Sequence, residues 1–407
     1  MSCIIIGASH AGVNAAINLR NLGYQGKITL ISADKVLPYQ RPPLSKAFLQ
    51  NTLPEQRLWL RPEAFYQQKE IDLMLGKRVI SIDREQQTVE LDDGQCLTYD
   101  KLILATGASI RRLSIPGSDL IGVHYMRDCE DTMGLRDALP DAKNVVVVGG
   151  GYIGLEVAAS LQKLGKNVTL LLNQERPLKH LTSAVVSDYL SELHKANGVN
   201  IQPNAAAQAI IGDEKVTAVE ASNGECYPAD IVVAGIGVNP EQALAQQCGL
   251  AIDNGIQVNQ YMQSSDENIY AIGDCVSFFH PIYNQQMRIE SVQNATDQAK
   301  TAALAICDKL TPYTATPWFW SDQYDAKLQI AGLSNGYDEF VVRKESENSL
   351  AVFYFSKQRL IAIDAINQPK SFMITRKYLH QLPAVDKNKL ADNDQDLNTL
   401  FTELVGV

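Results

Sequence analysis

Close cysteine pairs and histidine clusters are missing from this sequence. Its seven cysteines and six histidines are scattered over 407 residues, and no cysteine pair has the C-x-x-C spacing or another close spacing typical of a metal site or a redox disulfide. We therefore predict no metal site. The cysteines are interpreted as free and mostly buried thiols in a reducing compartment.

Long apolar runs and an excess of positive charge are also missing. No apolar run approaches the ~20 residues that span a bilayer, and the short apolar run at the N-terminus lacks the basic lead of a signal peptide. A net charge of −10 argues against nucleic acid or an anionic membrane as the main partner. With 45% hydrophobic and 20% charged residues, the sequence predicts a globular protein, and its 407 residues can hold two or three domains. We expect a cytoplasmic location and favour a monomer over an oligomer.

What the sequence does contain, at two places, is an apolar run followed by a glycine turn. The first turn runs from Gly7 to Gly12 at the N-terminus, and the second is Gly149-x-Gly151-x-x-Gly154. Each leads into a helical stretch rich in alanine or leucine, an order that directs the free amides of a helix N-terminus at a pyrophosphate. Two such units predict two bound dinucleotides and hydride transfer between them.

Both units depart from the usual pattern. Ser9 replaces the middle glycine of the first turn, and Ala33 stands where an acid normally binds a ribose, with Asp34 beside it. In the second unit that place falls at Leu172, so no carboxylate selects NADH there. Arg176 is either part of a phosphate site or a solvent-facing loop residue.

Three further candidates have alternative interpretations. Asp274 ends a short buried strand, where a carboxylate binds ribityl hydroxyls or, more commonly, caps a following helix. Lys46 follows the rigid pair Pro42-Pro43, and it either points inward or is an ordinary surface lysine. Glu156 lies just inside the second helix, where an acid normally complements the helix dipole.

The apolar patterns predict two strand–helix series, a hairpin with an Asp-Gly turn, and a small antiparallel sheet near the C-terminus. The strands are predicted at Cys3–Ile6, Lys27–Ser32, Asp72–Leu75, Arg78–Asp83, Thr88–Leu91, Lys101–Ala105, Asn144–Val148, Asn167–Leu172, Asn200–Gln202, Val216–Ala221, Ile231–Ala234, Glu339–Arg343, Leu350–Phe355 and Arg359–Ala365. The helices are predicted near Ala11–Leu22, Tyr152–Leu164, Ser183–Ala196 and Ser371–His380. The polar stretch Lys387–Asn398 is predicted as a loop or a frayed end.

Six segments, in order through nearly the whole chain, carry a resemblance to a known family. They are PYQRPPLSKAFL from Pro38, YDKLILATGA from Tyr99, VVVVGGGYIGLEVAASL from Val145, IYAIGDC from Ile269, RIESVQNA from Arg288 and PWFWSDQYDAKLQIAGL from Pro317. With them the sequence resembles the FAD-dependent ferredoxin reductases of bacterial oxygenase systems, the putidaredoxin reductase-like group. The last two segments are specific to this group rather than to flavoproteins at large.

This resemblance implies an α/β fold with two Rossmann-like dinucleotide-binding domains of the glutathione-reductase-like type, plus a C-terminal α+β domain. The FAD-binding domain is expected to be split between residues 1–109 and 243–317. The NAD(P)H-binding domain is expected at residues 110–242, and the C-terminal domain at residues 318–407.

The resemblance also implies the residues of the sites. The implied contacts of FAD are Gly7, Ala11, Gly12, Asp34, Arg41, Lys46, Val79, Thr106, Gly107, Arg127, Gly273, Asp274, Val292 and Trp320. The implied contacts of NAD(P)H are Gly149, Gly151, Ile153, Gly154, Glu156 and Gly237. Lys46 and Glu156 are the implied catalytic residues, and we expect them to form an ion pair beside the flavin.

The implied activity is electron transfer from NADH through FAD to a small iron–sulfur protein that serves an oxygenase. A [2Fe–2S] ferredoxin is the expected acceptor, and Lys327, Arg288 and Arg57 are candidates for docking it. NADPH stays possible, and we expect only a modest preference for NADH because Leu172 does not repel a 2′-phosphate. The alternatives are a flavin peroxidase or disulfide reductase, which would need a cysteine in the loop of Lys46, and a nucleotide-sensing flavoprotein.

Overall fold

The computed structural model describes residues 1–406, and the chain divides into two compact units. Unit 1 contains Met1–Arg41, Pro54–Ser109 and Val238–Ala315, and unit 2 contains Pro42–Leu53, Ile110–Gly237 and the chain from Thr316 onward. Unit 1 therefore contains most of the two segments that were predicted to bind FAD. The finer division into three domains stays a prediction.

The secondary structure follows the chain as two strand–helix series and a C-terminal sheet. The helices are α1 (His10–Asn21), α2 (Glu63–Gln68), α3 (Cys129–Ala138), α4 (Tyr152–Lys163), α5 (Ala184–Ala196), α6 (Ala243–Gln247), α7 (Val292–Ile306), α8 (Pro369–Tyr378), α9 (Lys387–Ala391) and α10 (Leu397–Val405), with short 3₁₀ turns at Glu55–Arg57 and Gly273–Cys275. The strands are β1 (Ser2–Ile6), β2 (Lys27–Ser32), β3 (Ile71–Leu75), β4 (Val79–Asp83), β5 (Thr88–Leu91), β6 (Cys96–Thr98), β7 (Lys101–Leu104), β8 (Ala108–Ile110), β9 (Val123–Tyr125), β10 (Asn144–Val148), β11 (Asn167–Leu171), β12 (Asn200–Gln202), β13 (Ala207–Ile211), β14 (Ala218–Ala221), β15 (Cys226–Pro228), β16 (Ile231–Ala234), β17 (Val238–Pro240), β18 (Ile256–Val258), β19 (Ile269–Ala271), β20 (Val276–His280), β21 (Gln285–Met287), β22 (Trp318–Gln323), β23 (Ala326–Gly332), β24 (Glu339–Ser346), β25 (Ser349–Ser356) and β26 (Arg359–Ile366).

Unit 1 is built on a five-stranded parallel sheet with the order β19-β7-β1-β2-β3. The apolar strands β1 and β2 are buried along nearly their whole length, as expected for a parallel sheet that is covered on both faces. Helix α1 connects them and packs against α7. The strands predicted for this sheet from the sequence are confirmed.

Unit 2 repeats this architecture. Its parallel sheet has the order β12-β11-β10-β16-β9, and α4 connects the central strand β10 to β11. In both sheets the glycine turn follows the central strand, and the strand after the helix pairs beside that central strand. The repeat confirms the predicted fold class, with two Rossmann-like dinucleotide-binding folds in one chain.

The C-terminal part of unit 2 is a five-stranded antiparallel sheet with the order β22-β23-β26-β25-β24. The alternating runs predicted from the sequence form β24, β25 and β26, so the predicted antiparallel sheet is confirmed. Phe353 and Phe355 of β25 share one hydrophobic core with Phe372 of α8 and Phe401 of α10. These helices therefore bury one face of the sheet.

The prediction of a loop or frayed end at Lys387–Asn398 is wrong, because α9 lies within it and α10 begins in it. Asp386 and Asp396 cap the two helices by accepting hydrogen bonds from backbone amides. Leu390 is fully buried, and the guanidinium of Arg343 donates hydrogen bonds to the backbone carbonyls between the two helices. These buried contacts stabilise both helices, although the segment is mostly polar.

Candidate functional site

The first glycine turn joins β1 to α1 in very little space. Gly7 has a φ of +104°, and its amide donates a hydrogen bond to the carbonyl of Ile31 at 2.8 Å. A Cβ atom on Gly7 would lie 2.2 Å from the carbonyl oxygen of Ala105, and one on Gly12 would lie 1.9 Å from that of Gly7. Both positions therefore require glycine, and the helix N-terminus lies directly against the end of the sheet.

The second turn has the same geometry. Gly149 has a φ of +112°, and its amide donates to the carbonyl of Leu171 at 3.0 Å. A Cβ atom on Gly149 would lie 2.3 Å from the carbonyl oxygen of Gly235, and one on Gly154 would lie 2.0 Å from that of Gly149. The two fingerprints are thus one structural motif used twice.

The middle positions of the two turns differ in the residue they carry. No atom lies within 4 Å of the place where Gly151 would carry a Cβ atom, so this position has room for a ligand or a small side chain. In the first turn that side chain is Ser9, whose hydroxyl accepts a hydrogen bond from Arg41 at 3.3 Å. Neither residue caps its helix through a side chain, so the first-turn amides of α1 and α4 have no side-chain acceptor from these positions and suit an anion. The geometry therefore fits a dinucleotide at each turn.

Charged groups of unit 1 cluster after β2. The carboxylate of Asp34 accepts a hydrogen bond from the hydroxyl of Tyr39 at 3.1 Å, and it lies 3.9 Å from the guanidinium of Arg41. Burial, together with the nearby positive charge of Arg41, lowers the pKa of His10 to about 4. His10 is therefore neutral at pH 7, and the positive charge near the first glycine turn is that of Arg41.

Asp274 lies near the N-terminus of α1. Its neighbour Gly273 has a φ of +82°, and a Cβ atom there would lie 3.1 Å from the Cβ atom of Ala11. The amide of Gly273 donates to the side-chain oxygen of Gln298 at 2.7 Å. The chain continues directly into β20, so the alternative of a carboxylate that caps a following helix is wrong.

The remaining residues predicted for FAD in unit 1 lie in several elements. Thr106 and Gly107 follow β7, and both form hydrogen bonds with the backbone of Glu241, at 2.6 Å and 2.9 Å. Val79 is buried in β4, which belongs to a separate antiparallel sheet with β5 and β6. Val292 is the first residue of α7. Their contacts with FAD stay predictions.

A buried ion pair lies in unit 2. The ammonium of Lys46 is 2.7 Å from one carboxylate oxygen of Glu156, although the two residues are 110 positions apart in the chain. Ser45 donates to the same oxygen at 2.5 Å, and Ser321 donates to the other oxygen at 2.8 Å. The side chain of Glu156 is 3% exposed and that of Lys46 is 19% exposed. The predicted pairing is confirmed, and the alternatives of a surface lysine and a dipole-complementing acid are wrong.

Two more residues predicted for NAD(P)H are Ile153, which lies within the second fingerprint, and Gly237, which follows β16. Ile153 is exposed in the first turn of α4, two residues after Gly151. Gly237 has a φ of +98°, and its carbonyl accepts a hydrogen bond from the amide of Arg111 at 3.0 Å. It lies two residues after Gly235, which faces the turn.

Arg127 and Trp320 lie elsewhere in unit 2. The backbone amide of Arg127 donates to the carboxylate of Asp131 at 2.9 Å, just before α3. Trp320 is half-buried in β22, and its ring centroid lies 5.6 Å from that of Trp318. Their predicted contacts with the flavin nucleotide stay predictions.

The place of the ribose-binding acid in the second unit is apolar and tightly packed. Leu172 is buried, and its side chain would lie 2.4 Å from a Cβ atom on Gly150. The guanidinium of Arg176 donates to three backbone carbonyls between residues 179 and 183. Arg176 is half-buried and holds its own loop together.

The cysteines of residues 1–406 form no disulfide. Burial raises the pKa of the Cys3 thiol to about 12 and also raises that of Cys275. A thiol that stays protonated is a poor nucleophile, so these two residues are unsuited to disulfide exchange. Among the same residues, no group of three or more His, Cys, Asp or Glu side chains is arranged to hold a metal ion, and no helix is long and apolar enough to cross a membrane.

Sequence reasoning missed the donors around Glu156. Ser45 is adjacent to a predicted residue and Ser321 directly follows Trp320, and both lie in segments that carry the family resemblance, but the resemblance implied no role for either serine. No role was predicted for Gln323 or His194 either. Glu156 and Ser321 are 165 positions apart in the chain, so sequence spacing cannot find this contact.

Comparison with known proteins agrees with this geometry. Residues 1–299 match the family model of pyridine nucleotide-disulphide oxidoreductases, and residues 318–401 match the model described as reductase C-terminal. The chain is 42% identical to rhodocoxin reductase of Rhodococcus erythropolis over 399 residues, which cover 98% of this chain and 93% of the relative.

A second relative and a solved structure are similar over comparable lengths. The chain is 41% identical to rubredoxin-NAD(+) reductase of Pseudomonas putida over 372 residues, which cover 91% of this chain and 97% of the relative. It also matches a chain in the crystal structure of the covalent putidaredoxin reductase–putidaredoxin complex with a TM-score of 0.95 and 39% identity, covering 99% of this chain and 98% of that one.

Proposed function

The chain belongs to the pyridine nucleotide-disulphide oxidoreductase family, among the putidaredoxin reductase-like ferredoxin reductases, and from this premise we propose that it carries electrons from NADH through FAD to a [2Fe–2S] ferredoxin. The family predicted from the sequence is thereby confirmed. As a member, the protein is an FAD-dependent oxidoreductase that takes electrons from NAD(P)H and delivers them to an iron–sulfur protein of an oxygenase system. The choice of NADH and of a [2Fe–2S] acceptor is the proposal.

One observation carries this function, namely the repeat of the glycine turn in two sheets of a single chain. Each turn places a helix N-terminus against the end of a parallel sheet, and neither Ser9 nor Gly151 caps its helix through a side chain. These features fit the pyrophosphate of a dinucleotide. One turn then binds FAD and the other binds the nicotinamide nucleotide.

The residues of unit 1 are proposed to bind and orient FAD. Gly7, Ala11 and Gly12 give the pyrophosphate access to the amides of α1. Asp34 takes the role of the missing ribose acid and Asp274 that of the ribityl acceptor, because each carboxylate follows a strand of the parallel sheet. Bound FAD supplies hydride acceptance and the release of single electrons, which no side chain of this protein can perform.

The Lys46–Glu156 pair is proposed to set the charge around the reduced flavin. An ammonium that is only partly exposed stabilises nearby negative charge more strongly than one in water. Glu156 holds the ammonium in place and partly neutralises it, so the pair limits the total charge that is buried.

The preference for NADH is proposed to be modest. Leu172 supplies no acid to repel a 2′-phosphate, and the guanidinium of Arg176 is engaged with backbone carbonyls instead of being available to bind one. We therefore expect kcat/KM for NADH to exceed that for NADPH by about tenfold or less, the scale of one weak electrostatic contact. Steady-state kinetics with both nucleotides and one artificial acceptor measures this ratio. A preference for NADPH would contradict the proposal.

The acceptor is tested with purified iron–sulfur proteins. The FAD-loaded protein, NADH and a [2Fe–2S] ferredoxin should reduce cytochrome c, and the rate should depend on the ferredoxin. A rubredoxin is the matched alternative, because one relative is named a rubredoxin reductase. Faster turnover with rubredoxin would overturn the choice of acceptor. Full activity toward a peroxide or a disulfide, with no iron–sulfur protein reduced, would overturn the function itself.

We also propose a cytoplasmic location. The free cysteines support it, because unpaired thiols persist in a reducing compartment.

A further inference from the structure

Glu156 accepts hydrogen bonds from more groups than its lysine partner. Lys46 and Ser45 both donate to one carboxylate oxygen, while Ser321 donates to the other. Ser321 is fully buried in β22. The second oxygen is therefore held by a neutral hydroxyl from the C-terminal sheet, independently of the ion pair.

Ser321 is itself the end of a buried chain of hydrogen bonds. Its hydroxyl oxygen lies 3.2 Å from the side-chain nitrogen of Gln323, which is two residues further along β22 and therefore on the same face of the strand. The side-chain oxygen of Gln323 lies 3.0 Å from Nε2 of His194 on α5. Gln323 and His194 are both buried.

The carboxylate fixes the direction of every bond in this chain. An ionised carboxylate only accepts hydrogen bonds, so the hydroxyl of Ser321 donates a hydrogen bond to Glu156 and accepts one from the side-chain nitrogen of Gln323. The amide oxygen of Gln323 then faces His194, whose Nε2 must carry the proton. Among residues 1–406, Nδ1 of His194 has no hydrogen-bond partner, and burial lowers the pKa of this imidazole to about 4, both of which agree with a neutral ring.

We propose that Ser321, Gln323 and His194 are positioning residues that hold Glu156 and, through it, the ammonium of Lys46. Their dipoles all point the same way, with the positive ends toward the carboxylate, and such chains strengthen each bond cooperatively. Glu156 on α4 is thus fixed from β22 and α5 as well as from the loop that carries Lys46. The consequence for the flavin rests on the proposed function.

Loss of this chain of hydrogen bonds should change the electrostatic effect of the Lys46–Glu156 pair on the flavin. Without the hydroxyl of Ser321, the negative charge on the second oxygen of Glu156 loses its hydrogen-bond donor. That oxygen then attracts the ammonium of Lys46 more strongly. Both effects disfavour negative charge on the reduced flavin. The midpoint potential of the bound flavin should therefore become more negative.

Three single variants of the FAD-loaded protein, and the double variant Ser321→Ala/Gln323→Met, test this. Ser321→Ala removes the donor to Glu156, and Gln323→Met removes the next link at nearly constant volume. Ser187→Ala is the matched control, because Ser187 is a buried serine on α5 whose hydroxyl donates to the carbonyl of Pro177 instead. The midpoint potential and the rate of flavin reduction by NADH are measured for each.

We expect Ser321→Ala to have a more negative midpoint potential than the wild type. Its rate of flavin reduction should be lower than that of the wild type by about tenfold, the scale of one hydrogen bond to a charged group. Gln323→Met should shift both quantities in the same direction by less. The double variant should match Ser321→Ala, because both changes act through one chain. Equal potentials for Ser321→Ala and the Ser187→Ala control, or additive shifts in the double variant, would overturn the proposal.

A second measurement needs no flavin chemistry and no folded variant at Ser321. Nitrogen NMR of the full-length wild-type protein with labelled histidine, assigned with His194→Gln, reports the tautomer of His194. A neutral ring protonated on Nε2 supports the chain. A ring protonated on Nδ1, or an imidazolium at neutral pH, overturns it. If the wild-type protein binds no FAD, the proposed function is wrong, but this measurement still shows whether the chain of hydrogen bonds exists.

Discussion

At the scale of single residues, Lys46 and Glu156 form a pair in which losing one partner should cost more than losing both. Lys46→Met leaves a carboxylate that is 3% exposed without its cation, and we expect the free energy of unfolding to fall by about 3 kcal/mol. The double variant Lys46→Met/Glu156→Gln contains no unpaired buried charge, so it should regain most of that loss. Urea unfolding of the three proteins at pH 7 measures both values. A single variant as stable as the wild type would show that the pair is solvated in solution.

Asp364 is a second buried carboxylate, and it should make stability depend on pH. It is fully buried in β26, and the hydroxyls of Thr182 and Tyr354 donate to one of its oxygens. Burial raises its pKa from 3.8 to about 6, while the two hydrogen bonds act in the opposite direction. Since the folded pKa lies above the unfolded one, the stabilisation is complete below pH 4 and is lost as the pH rises through 6.

The variant Asp364→Asn removes this titration. Between pH 4 and pH 8 the wild type should lose roughly 2 kcal/mol more of its free energy of unfolding than the variant does. Chemical denaturation at several pH values measures the difference between the two slopes. The variant can be less stable at every pH, because its amide meets different partners, without affecting this test. Parallel pH profiles would contradict the assignment.

The residues that sequence reasoning identified, and those it missed, differ in how local their signals are. Gly7 and Gly149 were identified because a turn, an apolar run and a helix are adjacent in the chain. The Lys46–Glu156 pair came from the family resemblance, since neither residue is unusual in its own segment. Ser321 and His194 were missed because only the folded β22 and α5 bring them into one chain with Glu156.

At the scale of elements, the two glycine turns should be separable by mutation. A Cβ atom at Gly12 would lie 1.9 Å from the carbonyl of Gly7, and one at Gly154 would lie 2.0 Å from that of Gly149. Each alanine must therefore move its helix away from the sheet. Gly12→Ala should yield protein with little FAD, and Gly154→Ala should keep FAD but raise KM for NADH by about tenfold or more.

The control for both is Gly134→Ala in α3, where no atom lies within 4 Å of the added Cβ. This change should leave FAD content and KM unaltered and should stabilise the helix slightly. Flavin absorbance per protein and steady-state kinetics are the measurements. Loss of FAD from Gly154→Ala, with FAD retained by Gly12→Ala, would show that the two turns bind the opposite nucleotides.

Elements were predicted well where burial covers both faces and poorly where it depends on a few contacts. The strands of the parallel sheets are continuous apolar runs, and a run such as Asn144–Val148 has the same bounds in the sequence prediction and in the structure. Helix α7 was not predicted, although its buried residues include Ala295, Ala299 and Ala302. Its buried face consists largely of alanine and polar residues instead of large apolar ones. The polar composition of the segment Lys387–Asn398 hides α9 and the start of α10.

At the scale of the whole molecule, net charge and local charge make opposite predictions for the encounter with an acidic ferredoxin. A net charge of −10 repels such a partner at long range, so added salt would accelerate turnover if this term dominated. A local basic patch would attract it, and added salt would then slow turnover. Of the three candidates, Lys327 and Arg57 are exposed, whereas Arg288 is mostly buried and paired with Glu290, which argues against a docking role.

We expect the local attraction to win, because association rates follow the potential at the contact surface more than the total charge. Ferredoxin-dependent kcat/KM should fall as ionic strength rises, while reduction of an uncharged quinone should change little. Lys327→Gln should lower the ferredoxin-dependent value about two- to threefold and flatten its salt dependence. Lys195→Gln, which removes an exposed lysine paired with Glu192, is the control and should do neither. Turnover that rises with salt would mean that the overall negative charge governs the encounter and that Lys327 lies outside the docking surface.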